Sequence, residues 1–262
     1  LGAISTELPQ YLPSGTLCIR YDFAWESPLR TNEWGIPNAR KAPMDIQPPS
    51  TVIISLEKDE HGILQEMKRK TRYNIKLAGR KGVETRQEQD SFLQKWYELY
   101  RETAERDRIA IHSFEYYHSL LNLANTQNEE GYNEGKIRLI SAWHEGDLLA
   151  GIIVGVYGKR ATYMYGENKK KKRNLMASYA VQWEAIKLAK SCGCIEYDLF
   201  GIPPADDPEH PMHGLYRFKT GFGGRIVHRP GTYDLPLSPL KYSLFRQVEK
   251  ARTYYYKQFK KR

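Results

Sequence analysis

Three apolar runs, at 136–144, 148–157 and 161–166, are divided only by Glu145-Gly-Asp147 and Gly158-Lys-Arg160. Runs of this length, alternating or continuous in apolar character and joined by short glycine turns, read as an antiparallel meander. No other feature constrains the fold as strongly. Before it, residues 62–78 read as a basic helix ended by Gly79 or Gly82, and 83–86 as a strand. A helix capped by Asp90 or Ser91 then runs to Arg106, with Phe92, Leu93, Trp96, Tyr97 and Tyr100 on one face, and another covers 114–124. After the meander, a polar loop at 167–174 leads to a helix at 175–191 and a strand at 195–200. A Pro/Asp loop at 201–211, a short helix near 215–220, the turn Gly221-Phe-Gly-Gly224 and a strand at 225–228 follow. Residues 240–259 read as a basic, Tyr-rich helix, and no internal repeat is present.

Helices, a three-strand meander, then helix, strand, helix and strand is the order of an acyl-CoA N-acetyltransferase-like domain. The expected fold class is α/β (α+β): an acetyltransferase (GNAT)-like mixed sheet with flanking helices, preceded by the end of a second such domain. The expected boundaries are 1–56 for that first domain, 57–234 for the second, and 235–262 for a basic helix packing back on the first. Residues 1–56 are Pro-rich, with strands expected at 16–21 and 51–56. Between them lies a loop over 26–50, with Trp25 at its entrance and Trp34 within it. Loops this long are usually functional or belong to a partner element. The chain opens on Leu1 without an initiator Met, and most of the first domain is expected to precede it.

With 40% hydrophobic residues among 262, the chain is not of the disordered class. Its net charge of +9 favours a polyanionic partner, either nucleic acid or an anionic membrane surface. Cys18, Cys192 and Cys194 are odd in number, and Cys192-Gly-Cys194 is too close for an ordinary disulfide or zinc knuckle. They read as reduced thiols in a cytoplasmic protein. His210 and His213 share a Pro-rich loop without a clear third ligand, so no metal is expected. No apolar run is long enough to span a bilayer, and no secretory signal opens the chain.

Three constellations bear on chemistry. Acetyltransferases hold the CoA pyrophosphate on backbone N–H groups at the start of the helix after the meander, which requires a glycine-rich turn. Here that loop carries Lys169, Lys170, Lys171, Lys172 and Arg173, and no glycine stands between Gly166 and Cys192. CoA is therefore not the expected donor. The basic run reads equally as a phosphate contact or a solvated loop. The second constellation, 67–82, holds Lys68, Arg69, Lys70, Arg72, Lys76, Arg80 and Lys81, with Leu64, Met67 and Ile75 facing a core. An outward basic face of this kind can contact phosphates, with steep salt dependence. The third is Tyr197-Asp-Leu-Phe-Gly-Ile-Pro-Pro204 with 214–224. Asp198 falls in a strand expected to be central, where a carboxylate needs a partner and is either structural or catalytic. Gly221, Gly223 and Gly224 allow a tight turn and close approach of a ligand, and Phe218-Lys219 comes just before that turn.

Taken in order, 67–82, Arg173-Asn-Leu-Met with Gln182-Trp-Glu-Ala185, Tyr197-Asp-Leu-Phe-Gly201 and Phe218-Lys-Thr-Gly-Phe-Gly-Gly224 resemble the FemABX family. These are peptidoglycan-bridge aminoacyltransferases. The resemblance implies two acetyltransferase-like domains and an aminoacyl-tRNA donor, with no cofactor beyond that co-substrate. It also implies a lipid-linked or nucleotide-linked muropeptide precursor as acceptor, through a side-chain amine of its stem peptide. The implied location is cytoplasmic, with peripheral contact at the inner membrane face. The family's Phe-Lys pair falls on Phe218 and Lys219. Its meander tyrosines fall on Tyr163 and Tyr165, expected on one side of their strand. Its Arg-then-Tyr acceptor pair falls near His112 and Tyr116, where His112 departs from the family's Arg. Lys68, Arg69, Lys70 and Arg72, with 169–173, are the implied tRNA surface. In the implied reaction an amine attacks an ester, an oxyanion forms, and the ribose oxygen leaves. Lys219 suits cationic stabilisation of that oxyanion, and Asp198 suits either a base or a structural anchor. An N-acyltransferase with another thioester donor and a non-catalytic RNA- or membrane-binding protein are the competing readings.

Overall fold

The computed structural model describes residues 2–26, 36, 38–107, 109–125, 135–169 and 171–259; Trp34 lies outside them. In chain order the elements are α1 (Gly2–Glu7), β1 (Cys18–Phe23), β2 (Arg40–Lys41), β3 (Ser50–Ser55), α2 (Glu60–Glu66), α3 (Arg69–Arg80), β4 (Glu84–Glu88), α4 (Leu93–Asp107) and α5 (Phe114–Asn125). The meander follows as β5 (Lys136–His144), β6 (Asp147–Tyr157) and β7 (Arg160–Asn168). Then come α6 (Ala177–Ser191), β8 (Glu196–Asp198), α7 (His213–Lys219), β9 (Arg225–His228), β10 (Gly231–Pro236) and α8 (Pro239–Phe259).

The chain forms two compact units, 51–226 and 1–50 with 227–262. These limits differ from the sequence boundaries at 56 and 234. β3 pairs with β8 in the large sheet, which draws 51–55 into the larger unit. β10, unread in the sequence, pairs with β1 and β2 in a three-stranded antiparallel sheet of the smaller one. In that smaller unit the guanidinium of Arg20 donates to both oxygens of fully buried Asp234 at 2.7 and 2.8 Å and to Glu249 of α8 at 3.1 and 3.0 Å. The Tyr242 hydroxyl of α8 donates to Asp234 at 2.7 Å.

The larger unit carries a mixed seven-stranded sheet in the order β4-β5-β6-β7-β8-β3-β9. The meander is antiparallel, and β8 runs parallel to β7. One face is closed by α3 and α6, burying Val154, Val181, Ile186 and Phe222; the other by α4 and α5, burying Trp96, Tyr117, Leu121 and Ile153. Each fully buried Val, Leu, Ile or Phe side chain stabilises the fold by about 1.5–3 kcal/mol.

Two local departures shape the site. The single helix expected over 62–78 is two helices, broken where Met67 and Lys68 turn extended (ψ 151° and 144°). The break seats the chain against the Gly221 turn: the Lys68 N–H donates to the Gly221 carbonyl at 2.9 Å. Arg72 donates to the carbonyls of Met67 and, at 3.1 Å, Gln65, so it closes the end of α2 instead of facing outward. The second departure is a bulge in β7. Val154 pairs with Tyr163 but Ile153 pairs with Tyr165, leaving Met164 as the extra residue.

Candidate active site

β8 ends at Asp198, and Phe200 takes a left-handed conformation (φ 59°), a costly turn for a residue with a Cβ. The turn presents the carbonyls of Phe200 and Gly201 to Lys219, the last residue of α7. Its ammonium donates to them at 3.3 and 2.9 Å and lies 5.3 Å from the centre of the Tyr163 ring. Lys219 is only 5% exposed. Burial pushes its pKa down to about 8, and the Asp198 carboxylate works in the opposite direction. Two carbonyls occupy two of the three ammonium protons, leaving one to donate elsewhere.

Asp198 is 2% exposed and is held in place: the Thr51 hydroxyl of β3 and the Phe200 N–H, at 2.8 Å, both donate to its Oδ1. Next to it, fully buried Tyr197 accepts from the Gln182 amide at 2.7 Å. Phe218 meets Tyr179 and Phe222 edge-on, with ring centres 5.0 and 5.2 Å apart. The glycines of the turn are filled by protein, not open to a ligand. A Cβ on Gly221 would meet the Thr71 hydroxyl at 2.5 Å, and one on Gly223 the Glu66 carbonyl at 2.7 Å. Gly224 sits at φ 82° against the Ile53 carbonyl.

A cavity of about 720 Å³ opens between the end of β7, the end of α4 and the first turn of α6. Tyr163, Met176, Tyr179 and Phe218 form apolar wall, while Arg106, Lys169, Lys171, Lys172 and Arg173 supply a basic rim. Lys172 is paired with Asp147 at 2.8 Å. Lys171 and Arg173 are exposed, as are Lys68, Arg69 and Lys70 on α3 and its approach. Lys170 lies outside the described residues.

The expected partnership of Tyr163 with Tyr165 does not form. The bulge at Met164 sends Tyr163 to the α6 face, with Lys219, and Tyr165 to the α4–α5 face. There Tyr165 meets the Tyr116 hydroxyl at 3.3 Å, and His112 stacks on Tyr116 at 4.0 Å. The residues singled out in the sequence thus fall into two groups, Lys219–Asp198–Tyr163–Phe218 and Tyr165–Tyr116–His112. His213 pairs with Asp206 at 2.7 Å. Among the described residues, no three His, Cys, Asp or Glu side chains come together to hold a metal.

Sequence reasoning missed Glu167, assigning it to a polar loop. It is the penultimate residue of β7 and 4% exposed, and neither carboxyl oxygen has a hydrogen-bond partner. The neighbouring Trp96 indole N–H is likewise unbonded. Burial holds the Glu167 pKa well above the usual carboxylate range. Thr51 and Gln182 were also unread as site residues; only the strand pairing and helix packing bring them to Asp198 and Tyr197.

A mixed sheet with a central antiparallel meander, flanked by helices, thus carries a buried lysine behind a basic-rimmed cleft. The chain belongs to the FemAB family, whose model matches residues 32–129 and 123–250. It is 22% identical to the lipid II:glycine glycyltransferase of Staphylococcus haemolyticus over 261 positions, covering 78% of this chain and 62% of that protein. The Staphylococcus aureus (strain USA300) protein of the same name is also 22% identical, over 263 positions and the same shares. The chain therefore spans about 62% of the length of these relatives. The crystal structure of FemX superposes with a TM-score of 0.79 at 18% identity, over 93% of this chain and 77% of that one. This last likeness concerns the fold.

Proposed function

We propose that the protein transfers an amino acid from an aminoacyl-tRNA to a side-chain amine on the stem peptide of a lipid-linked peptidoglycan precursor. The observation that carries this reading is the buried Lys219 ammonium, fixed by two carbonyls with one proton to spare, beside a cleft rimmed by cations. The family and its lipid II-directed relatives support the acceptor class. The basic rim supports a polyanionic donor.

In the proposed reaction the neutral acceptor amine attacks the ester carbon of the donor. The carbonyl oxygen takes up the electron pair, and collapse of the tetrahedral intermediate forms the amide. The ribose oxygen leaves with the proton lost by the amine. Lys219 donates to the developing oxyanion, a contribution of about 3–4 kcal/mol for one well-placed donor. Asp198, committed to Thr51 and the Phe200 N–H, acts as counter-charge to Lys219 and not as base. Holding two substrates in register supplies much of the remaining acceleration. Tyr165, Tyr116 and His112 are proposed as acceptor contacts. Lys68, Arg69, Lys70, Lys171 and Arg173 are proposed as phosphate contacts, since their charges face solvent. The test is incubation of the protein with each charged tRNA in turn and a lipid-linked muropeptide, scored by mass of the product. Product with at least one amino acid is expected; no transfer of any amino acid overturns the reading.

A further inference from the structure

Lys219 is held by backbone carbonyls, and backbone carbonyls stay in place only if the turn that bears them is fixed. That turn contains a non-glycine residue in the left-handed region, Phe200. Such a conformation persists where its surroundings over-determine it. Here the determinant is a short relay. The Thr51 hydroxyl, at the start of the buried strand β3, donates to Asp198 Oδ1, and the same oxygen accepts the Phe200 N–H at 2.8 Å. Thr51 is 0% exposed and Asp198 2%. β3 and β8 run antiparallel with Ile53 opposite Asp198, so Thr51, two residues before Ile53, falls beside the turn that follows β8. The Leu199 N–H donates to the Val52 carbonyl at 2.9 Å and ties the intervening backbone.

We propose that Thr51 is a positioning residue for Lys219: its hydroxyl orients the Asp198 carboxylate, the carboxylate anchors the Phe200 N–H, and the anchored turn sets the two carbonyls that hold the ammonium. A valine would fill the same volume, and valine is the common choice for a buried strand position. A threonine there buries a hydroxyl that must find a partner, and the partner it finds is the carboxylate that also holds the Phe200 N–H. The groups around Lys219 are the Tyr163 ring from β7 and the carbonyls of Phe200 and Gly201, with the Asp198 carboxylate of β8 acting on it through its charge. Only Asp198 among them offers a negative charge. Moving it therefore weakens the hold of Lys219 on its proton.

The inference rests on the proposed role of Lys219 for its importance to transfer, but its test does not depend on transfer. Lysine side chains of the whole protein are labelled with ¹³C at the ε-carbon, the Lys219 resonance is assigned by its absence in Lys219→Met, and its titration is followed by NMR. Thr51→Ser keeps the hydroxyl and is expected to titrate as the parent does. Thr51→Val is expected to lower the midpoint by about 0.3–1 unit, and Asp198→Asn by about 1 unit or more. In a transfer-competent preparation, the alkaline limb of kcat moves with the NMR midpoint in Thr51→Val, while KM for the donor stays within about twofold. If Thr51→Val does not fold, Thr51→Ala removes the hydroxyl without adding a methyl and is read the same way. An unchanged Lys219 midpoint in the folded hydroxyl-free variant overturns the proposal. Failure of every preparation to transfer would instead count against the proposed function and leave the titration as the judge of Thr51.

Discussion

Replacing Lys219 with methionine separates the catalytic from the structural work of this residue. Methionine keeps the length and apolar stem of the side chain but cannot carry charge. At a pKa of about 8, roughly nine in ten molecules hold the ammonium at pH ~7. The descent from the ordinary value of 10.5 to about 8 means that the folded site binds this proton more weakly by about 3 kcal/mol. Between these two values the folded protein has released the proton and the unfolded chain still holds it, so parental stability rises with pH across that window. Lys219→Met abolishes this rise. It also removes the cost of burying the cation at neutral pH while leaving the Phe200 and Gly201 carbonyls unpaired, at about 1–3 kcal/mol for each unsatisfied group. These opposing effects are of similar size, so the unfolding midpoint at neutral pH changes little. Transfer behaves differently: loss of one oxyanion donor lowers kcat by about 10²–10³-fold. The assays are urea unfolding from pH ~7 to ~10 and single-turnover transfer from charged tRNA. A folded Lys219→Met protein within about threefold of parental kcat would refute the oxyanion role. A parental rise in stability that survives the substitution would refute the reading of the buried ammonium.

Glu167→Gln is expected to flatten a different part of the stability profile. The parental carboxyl, with its folded pKa raised, contributes stability that is complete below the unfolded value near 4.3 and declines as pH rises towards the folded one; denaturant titrations between pH ~4 and ~8 should show that slope in the parent and lose it in the variant. Removing Lys171 and Arg173 charges together (Lys171→Gln, Arg173→Gln) should weaken donor binding and reduce the magnitude of the log–log salt slope by about 0.7 for each phosphate no longer neutralised, read by filter binding of charged tRNA across salt concentrations. Gly224→Ala, at φ 82° against the Ile53 carbonyl, should destabilise the fold by about 2 kcal/mol or more, measured as a lowered denaturation midpoint. Asp234→Asn takes the charge from the fully buried carboxylate that half-buried Arg20 grips, leaving Arg20 only Glu249, and should cost about 1–3 kcal/mol, measured in the same way.

The meander and its helices were legible because turn glycines and apolar runs are local signals. So was the burial of Asp198, flanked by Tyr197 and Leu199 in a short apolar strand. The break at Met67 was not, since Leu64, Met67 and Ile75 keep an apolar face through it. What divides the helix is distant in sequence, a hydrogen bond from Lys68 to Gly221. Lys219 was brought forward by its family resemblance, but nothing local announces the Phe200 and Gly201 carbonyls that hold it. β10 escaped notice because Gly231 to Pro236 gains its partner from β1, some two hundred residues earlier. Placing Tyr163 and Tyr165 on one face followed correctly from strand alternation and failed because a bulge is set by pairing, not by composition.

That bulge makes β7 a strand whose parity changes midway. Up to Tyr163 its even and odd positions address one pair of faces; from Tyr165 onward the assignment is exchanged. A single strand can thereby furnish a residue to the lysine on one side and another to the tyrosine–histidine group on the other, two positions apart. The arrangement is also brittle in a particular way. Loss of the one codon for Gly166, beyond the bulge, would shorten the strand by a residue and exchange the faces of everything after it unless the pairing re-registered. Either Glu167 would leave its enclosure beside Trp96, or the bulge would be absorbed and Tyr165 would leave the tyrosine–histidine face. The count of residues in this strand is thus as much a part of the site as the side chains it carries.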